Sequence, residues 1–345
     1  MAAEPLIIGG QEIKPGERCS IELPVAKLYT NTDVNMPIHV IRGKRPGPTV
    51  FVSAAIHGDE LNGVEIVGRL IKSKSLKVSA GAVILVPMVN VYGVLNQSRY
   101  MPDRRDLNRC FPGSAKGSLA GRVANIFMEE IVKQCEYGID LHTGAIHRSN
   151  LPQIRANLKD QETLDLAMQF GVPVLLNSDL LDGSLREAAV QNGTKILLYE
   201  AGQALRFDEL SIRAGVKGVL NVLISLGVIN RKPPKIKFTP YVANNSSWVR
   251  ASLSGIVNTV HNLGDQVQKG DVLATISNPF GEVLSEITAS RSGIIIGKQN
   301  IPLVQEGEAL FHIAFFSEND EDIADNIEVM QDTLIPELSM KVESN

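Results

Sequence analysis

The sequence predicts an α/β protein followed by an all-β segment, and three observations carry that reading. Short apolar, partly β-branched runs (51–56, 82–86 and 196–199) and a further short strand at 139–141 alternate with stretches whose apolar residues recur at helical spacing, the pattern of buried strands joined by helices. The texture then changes at Arg231-Lys232-Pro233-Pro234-Lys235, and from Thr239 onward the chain reads as short strands and glycine turns. In this all-β segment the stretch Ala251-Ser252-Leu253-Ser254-Gly255-Ile256-Val257 looks like Ala289-Ser290-Arg291-Ser292-Gly293-Ile294-Ile295. Each is followed by a valine-bearing strand and a second glycine turn, so the repeat predicts a small quasi-symmetric β-sandwich. The expected division is a catalytic α/β domain with an N-terminal β extension at 1–232, the sandwich at 233–316 and an acidic tail at 317–345. The tail holds nine acids and one lysine and reads as partly disordered, or as an arm that packs on a partner subunit in a homo-oligomer.

At 345 residues, two domains are the natural expectation, and 44% apolar with 21% charged residues is ordinary globular composition. A formal charge of −4 argues against a nucleic-acid partner. Met1–Gly10 lacks a basic segment leading into an apolar core, and no apolar run approaches membrane-spanning length, so neither a secretory signal nor a membrane partner is expected. Cys19, Cys110 and Cys135 are odd in number and lack metal-type spacing, which reads as a reduced cytoplasm with cysteines used for packing.

Taken in order, residues 1–45 read as short strands and turns, such as Leu6–Ile8 and Met36–Arg42. The strand at 51–56 runs directly into His57-Gly58-Asp59-Glu60 and a helix over 61–70, with Asp59 or a neighbour as its cap. A second buried strand at 82–86 ends at Pro87 and opens a long polar loop to Gly117, of the kind that is usually functional in a compact domain. A helix follows over 120–134, then the strand 139–141, a helix at 163–170 and a strand at 172–176. Ser184 is placed to cap a helix over 185–191. The strand 196–199 precedes an amphipathic helix at 216–226.

The chemistry-bearing residues fall where these strands end. His57 and Glu60 leave the carboxyl end of one strand and His142 stands at the end of another, the edge at which open α/β sheets bind ligands. Alone, His-x-x-Glu is equally the start of an ordinary helix. Two histidines and a glutamate together give three protein ligands and leave a zinc ion one open position, the arrangement of a catalytic rather than a structural site. Asp140 is open to two readings, orienting a ligating imidazole or serving as a buried structural carboxylate. Glu200, at a strand end before Ala201-Gly202, reads either as a base acting on zinc-bound water or as a surface acid in a turn.

With these residues in view, the sequence resembles the succinylglutamate desuccinylase and aspartoacylase family, a branch of the zinc carboxypeptidase fold. The resemblance rests on His57-Gly58-Asp59-Glu60, Asp106-Leu107-Asn108-Arg109, Asp140-Leu141-His142-Thr143-Gly144 and Glu200-Ala201-Gly202, in the family's order. It implies a mixed sheet flanked by helices, and a C-terminal domain similar to biotinyl or lipoyl carriers. Neither repeat offers a lysine at the turn tip, so that domain reads as a lid or assembly element. The resemblance implies one zinc per chain on His57, Glu60 and His142, with Glu200 as general base and then acid. It implies that Asn108 and Arg109 bind the substrate carboxylate, for which the planar fork of arginine is suited; an ion pair of Arg109 with Asp106 is the structural alternative. Arg99 matches the arginine that polarises the scissile carbonyl, with Arg104 and Arg105 as rivals. Arg186 resembles a further substrate-binding arginine, or is a solvated residue on a first helical turn. The tyrosine that aspartoacylase contributes from its second domain has no counterpart. The implied activity is hydrolysis of an N-acyl amino acid, with a carboxypeptidase-like peptidase and a non-catalytic zinc-binding protein as alternatives.

Overall fold

The computed structural model describes residues 5–178, 180–233, 239–315 and 323–334. The chain opens with a hairpin of β1 (Leu6–Ile8) and β2 (Gln11–Ile13). Two ten-residue antiparallel strands follow, β3 (Arg18–Lys27) and β4 (Asp33–Arg42). They are longer than the sequence reading expects, because Ile21, Leu23 and Val25 alternate inward along β3 with period 2. Next come β5 (Arg45–Ala54), α1 (Asn62–Lys72), β6 (Ala80–Val86), α2 (Val91–Leu95) and α3 (Leu119–Glu130). Then follow β7 (Tyr137–Gly144), β8 (Arg148–Ala156), α4 (Gln161–Phe170), β9 (Val174–Asn177), α5 (Leu185–Gln191), β10 (Lys195–Gln203) and α6 (Glu209–Ser225). Beyond them lie β11 (Tyr241–Ala243), β12 (Ser246–Arg250), β13 (Gly255–Thr259), β14 (Gln266–Val267), β15 (Val272–Ser277) and β16 (Val283–Thr288). The described chain closes with β17 (Gly293–Gln299), β18 (Leu303–Val304), β19 (Ala309–Phe315) and α7 (Ile323–Leu334).

The large sheet runs in the order β12-β19-β17-β8-β10-β7-β5-β6-β4-β3. Its centre, β10-β7-β5-β6, is parallel. Central strands are apolar on both faces because helices cover both. Val50 and Val52 point into a core with Ile66 and Leu70 of α1, Phe170 of α4 and Val219 of α6. Phe51, between them, points the other way, into a core with Val123 and Phe127 of α3 and Leu185 of α5. The sheet continues past residue 232, since β17 pairs antiparallel with β8.

The repeat has a structural counterpart. Gly255 opens β13 and Gly293 opens β17. β13 pairs with β15 of its own half and with β18 of the other; β17 pairs with β19 of its own half and with β14 of the other. Val257, Leu273 and Ile276 meet Ile295, Phe311 and Ile313 in one apolar cluster.

Two local expectations change. Asp59 does not cap α1: the N-cap is Leu61, with no side-chain hydrogen bond, and Asp59 sits inside, pushed up in pKa by burial and by Glu60. Ser184 does cap α5, accepting from the Glu187 amide at 3.1 Å. Within the acidic tail, residues 323–334 form α7, because Ile327, Met330 and Leu334 share a face and are buried, the last two in the core that includes α6; residues 317–322 and 335–345 lie outside the described residues. No helix among the described residues is long and apolar enough to cross a membrane.

Candidate active site

β5, β7 and β10 end on one edge of the sheet and each delivers one part of the site. After β5, Ala55 turns the chain with φ +52° and brings His57 and Glu60 inward. Gly58 lies so close to α2 that a Cβ there would be 1.8 Å from the Gly93 carbonyl carbon, so only glycine fits between the two loops. β7 carries His142 beside Glu200 of β10, the two being paired in register. A bulge in β10 between Glu200 and Gly202 turns the strand at this point, the usual device for re-aiming a side chain.

The three expected ligands come together. Glu60 accepts from both rings, its Oε1 2.6 Å from His57 Nδ1 and its Oε2 2.9 Å from His142 Nδ1, and Oε2 also accepts from the Thr143 amide. Donor atoms of His57, Glu60 and His142 all lie within 4.8 Å of one another and all three residues are buried. The far nitrogens are held by acids, His57 Nε2 by Asp106 at 3.1 Å and His142 Nε2 by Asp140 at 2.7 Å. A carboxylate behind each ligating imidazole fixes ring orientation and raises its basicity.

The electrostatics favour a cation here. Burial would raise the Glu60 carboxyl, but His57 and His142 outweigh it and hold it far below its ordinary value. Burial likewise opposes charge on both imidazoles, yet Glu60 with Asp106 raises His57, and Asp140 with Glu60 raises His142 well above the usual range. Two nitrogens and a carboxylate, buried and backed by two further acids, form a donor set that a divalent metal can occupy by displacing those protons.

The remaining expected residues line the same cleft, of about 480 Å³. Arg99 places Nη2 2.9 Å from Asp106 Oδ2 and Nη1 3.5 Å from Glu60 Oε1. Its rivals stand apart: Arg104 and Arg105 are exposed, and Arg105 faces Asp103. Asp106 is thus engaged by His57, Arg99 and the Asn108 amide, and the ion pair with Arg109 does not form. Arg109 is exposed and donates to the Asn108 carbonyl at 2.6 Å. Asn108 is buried, and its Oδ1 accepts from the Leu185 amide at 2.9 Å, which turns its Nδ2 donors outward. Arg186 is 6% exposed and donates to Ser178 Oγ at 2.6 Å, so it is no solvated helix residue. Cys110 bonds the Asp106 carbonyl, and burial pushes its thiol up, in keeping with packing.

Residues the sequence did not mark complete the cleft. Arg148, Asn150 and Arg155 come from β8, Ser246 and Trp248 from β12, and His312 from β19. The Trp248 and His312 rings stack at 4.7 Å, and the Arg148 guanidinium lies 5.2 Å from the indole centroid. The sole tryptophan of the chain was the available signal for this wall.

Known proteins resemble the chain over most of its length. An N-alpha-acetyl-L-2,4-diaminobutyric acid deacetylase of Halomonas elongata is 26% identical over 294 residues, 81% of this chain and 86% of its own length. The product-bound ectoine utilization protein EutE (DoeB) of Ruegeria pomeroyi superposes with a TM-score of 0.78 at 25% identity, over 88% of this chain and 97% of its own. A succinylglutamate desuccinylase/aspartoacylase from Rhodobacter sphaeroides gives 0.76 at 25% identity, over 87% and 96%, and shares the mixed α/β fold with its large helix-flanked sheet. Residues 46–226, which span every strand end described above, match the succinylglutamate desuccinylase/aspartoacylase catalytic domain, and the chain belongs to that family.

Proposed function

We propose that the chain is a zinc-dependent hydrolase that releases an acyl group from an N-acyl amino acid. The observation that carries this reading is the buried His57, Glu60 and His142 group with Glu200 on the adjoining strand, facing one cleft. A zinc ion held by those three residues would supply Lewis acidity, lowering the pKa of water and polarising the scissile carbonyl. Glu200 accepts the proton of the attacking water and returns it to the amine nitrogen as the C–N bond breaks. Arg99 donates to the carbonyl oxygen as charge gathers on it. Asn108, Arg109 and Arg186 hold the carboxylate of the amino acid. In this reading residues 1–232 form the catalytic unit, and 233–316 form a sandwich of the biotinyl or lipoyl carrier type that closes one side of the cleft without carrying a cofactor.

A panel of N-acetyl, N-succinyl and N-formyl amino acids, with Nα-acetyl-2,4-diaminobutyrate and short peptides, assayed for free amine on the zinc-loaded protein, tests the proposal. Turnover of at least one acyl amino acid in preference to peptides is expected, and Glu200→Gln should lower it by roughly two to four orders of magnitude with zinc retained. Preference for peptides would move the reading to a peptidase, and no turnover of any amide to a binding protein.

A further inference from the structure

Glu200 is held at both oxygens by side chains of β8. Asn150 Nδ2 donates to Oε1 at 2.7 Å. Arg155 Nε lies 2.9 Å from Oε2 as an ion pair, with its N–H off the hydrogen-bond line. Asn150 is 6% exposed, and the backbone around it is shaped for its side chain. Its cross-strand neighbour in β10 is Gly202 and its neighbour in β17 is Gly297. A Cβ on Gly297 would sit 2.9 Å from Asn150 Oδ1 and 3.0 Å from the His312 Cβ. The missing side chain at Gly297 leaves the buried amide the room to reach across to Glu200.

Arg155 shares the cleft with His312, which is 5% exposed, stacks on Trp248 and shares a hydrogen bond with Ser246 at 2.9 Å. Burial, and then the nearby Arg155 charge, push the imidazole down to about 3, so it stays neutral. A neutral ring brings no second cation to compete with the guanidinium for Glu200.

We propose that Asn150 and Arg155 are positioning residues for Glu200: they fix the direction in which its carboxylate faces the scissile amide, and the pairing of β8 with β10 and β17 holds them there. The proposal rests on Glu200 being the base. It goes beyond that reading by assigning two polar residues of the cleft to the base rather than to the substrate. A carboxylate on a strand end is otherwise free to rotate about its terminal bonds, and a misdirected base costs rate even when substrate binds normally.

The test is a double-mutant cycle on the full-length zinc-loaded protein, using the acyl amino acid it turns over fastest. Asn150→Ala, Asn150→Asp and Arg155→Met are compared with wild type and with the same changes in a Glu200→Gln background. Zinc content and thermal midpoint are measured on each protein, and substrate Kd by calorimetry in the Glu200→Gln series. Each single change should lower kcat by roughly 10- to 100-fold with KM within about threefold, the usual effect of removing an outer partner of a catalytic group. Asn150→Asp, which keeps the shape but loses the donor, should not rescue. In the Glu200→Gln background the same changes should cost under about threefold in kcat and leave Kd unchanged, because residues that act through one another are non-additive. Losses that multiply, a Kd that weakens about tenfold, or an Asn150→Asp protein as active as wild type would each overturn the proposal and make these residues substrate contacts or packing. A Glu200→Gln protein with normal turnover would instead remove the base itself, and with it the functional reading.

Discussion

His142 Nε2 lies 2.7 Å from Asp140 Oδ2, two residues back on the same strand, and both side chains are almost wholly buried. Strand alternation puts residues i and i+2 on one face, so a single strand supplies both the imidazole and the acid that orients it. Asp140 is itself fixed by the Ser53 hydroxyl at 2.8 Å. Asp140→Asn keeps the shape and removes the charge. Zinc affinity should fall roughly 10- to 100-fold, read by competition with a chromophoric chelator. Unchanged affinity would leave Asp140 a structural carboxylate.

Of Arg99, Arg104 and Arg105, Arg99 is the one that lines the cleft, with its guanidinium between Asp106 and Glu60. Burial works against its charge, and Glu60 and Asp106 more than restore it. A donor aimed at a developing oxyanion is worth roughly two to three orders of magnitude in kcat. Arg99→Ala should lose about that much, whereas Arg104→Ala and Arg105→Ala should stay within about threefold of wild type. Steady-state kinetics on the three variants ranks them, and equal losses would put the role elsewhere.

The portion of the site that could be read from sequence is the portion built on strands buried on both faces. β5, β7 and β10 each carry a short apolar stretch, broken only by Ser53 in β5 and Asp140 in β7, so the polar residue that follows each stretch, His57, His142 or Glu200, stands out. β8 hides for the opposite reason. Arg-Ser-Asn-Leu-Pro-Gln-Ile-Arg-Ala shows no period, because Asn150 and Gln153 are buried polar residues and Pro152 interrupts the pattern. Its polar positions answer to the cleft and to β17, which is more than 130 residues away in sequence, and no local signal reports that. Trp248 and His312 are missed for the same reason: each looks like one residue of a short edge-type strand until β12 and β19 are laid side by side. α7 reads as tail because its acids dominate the composition, while Ile327, Met330 and Leu334 keep a helical spacing beneath them.

Away from the site, Glu209 joins two helices. Its carboxylate takes both Arg69 amino groups at 2.8 and 2.9 Å and also bonds Arg213. Hydrogen bonds from Arg69 and then Arg213 hold its pKa down to about 2, from an ordinary value of 4.5. A carboxyl depressed by folding stabilises the fold fully above about pH 4.5 and loses that contribution as pH falls through about 2. Glu209→Gln should therefore lower the thermal midpoint at pH 7 by roughly one to three degrees, a small effect because the network is solvent-exposed. The gap from wild type should close progressively between about pH 4.5 and 2. A gap independent of pH would show that packing, not charge, links the helices.

The proposed selection of a carboxylate by the cleft rests on two neighbours in sequence. Asn108 has its Oδ1 engaged by the Leu185 amide, so its Nδ2 is the end left for a ligand. The Arg109 guanidinium is engaged only by the Asn108 carbonyl in the hydrogen bonds of the described residues, and lines the same cleft. Donors arranged in this way match a carboxylate and mismatch a neutral amide, whose own NH2 would point at them. A site built to hydrogen-bond a charged group discriminates strongly against the analogue that cannot accept, because its donors are then left unpaired. An N-acyl amino acid should turn over readily and its C-terminal carboxamide poorly. Arg109→Ala should lower kcat/KM for the acid by an amount corresponding to roughly 2–5 kcal/mol and should hardly change the amide, so the preference narrows along with the rate. The measurement is kcat/KM for both substrates on both proteins. Equal treatment of acid and amide by wild type would make Arg109 a structural residue of its loop, and the carboxylate would then have to be sought at Arg186 or Arg148.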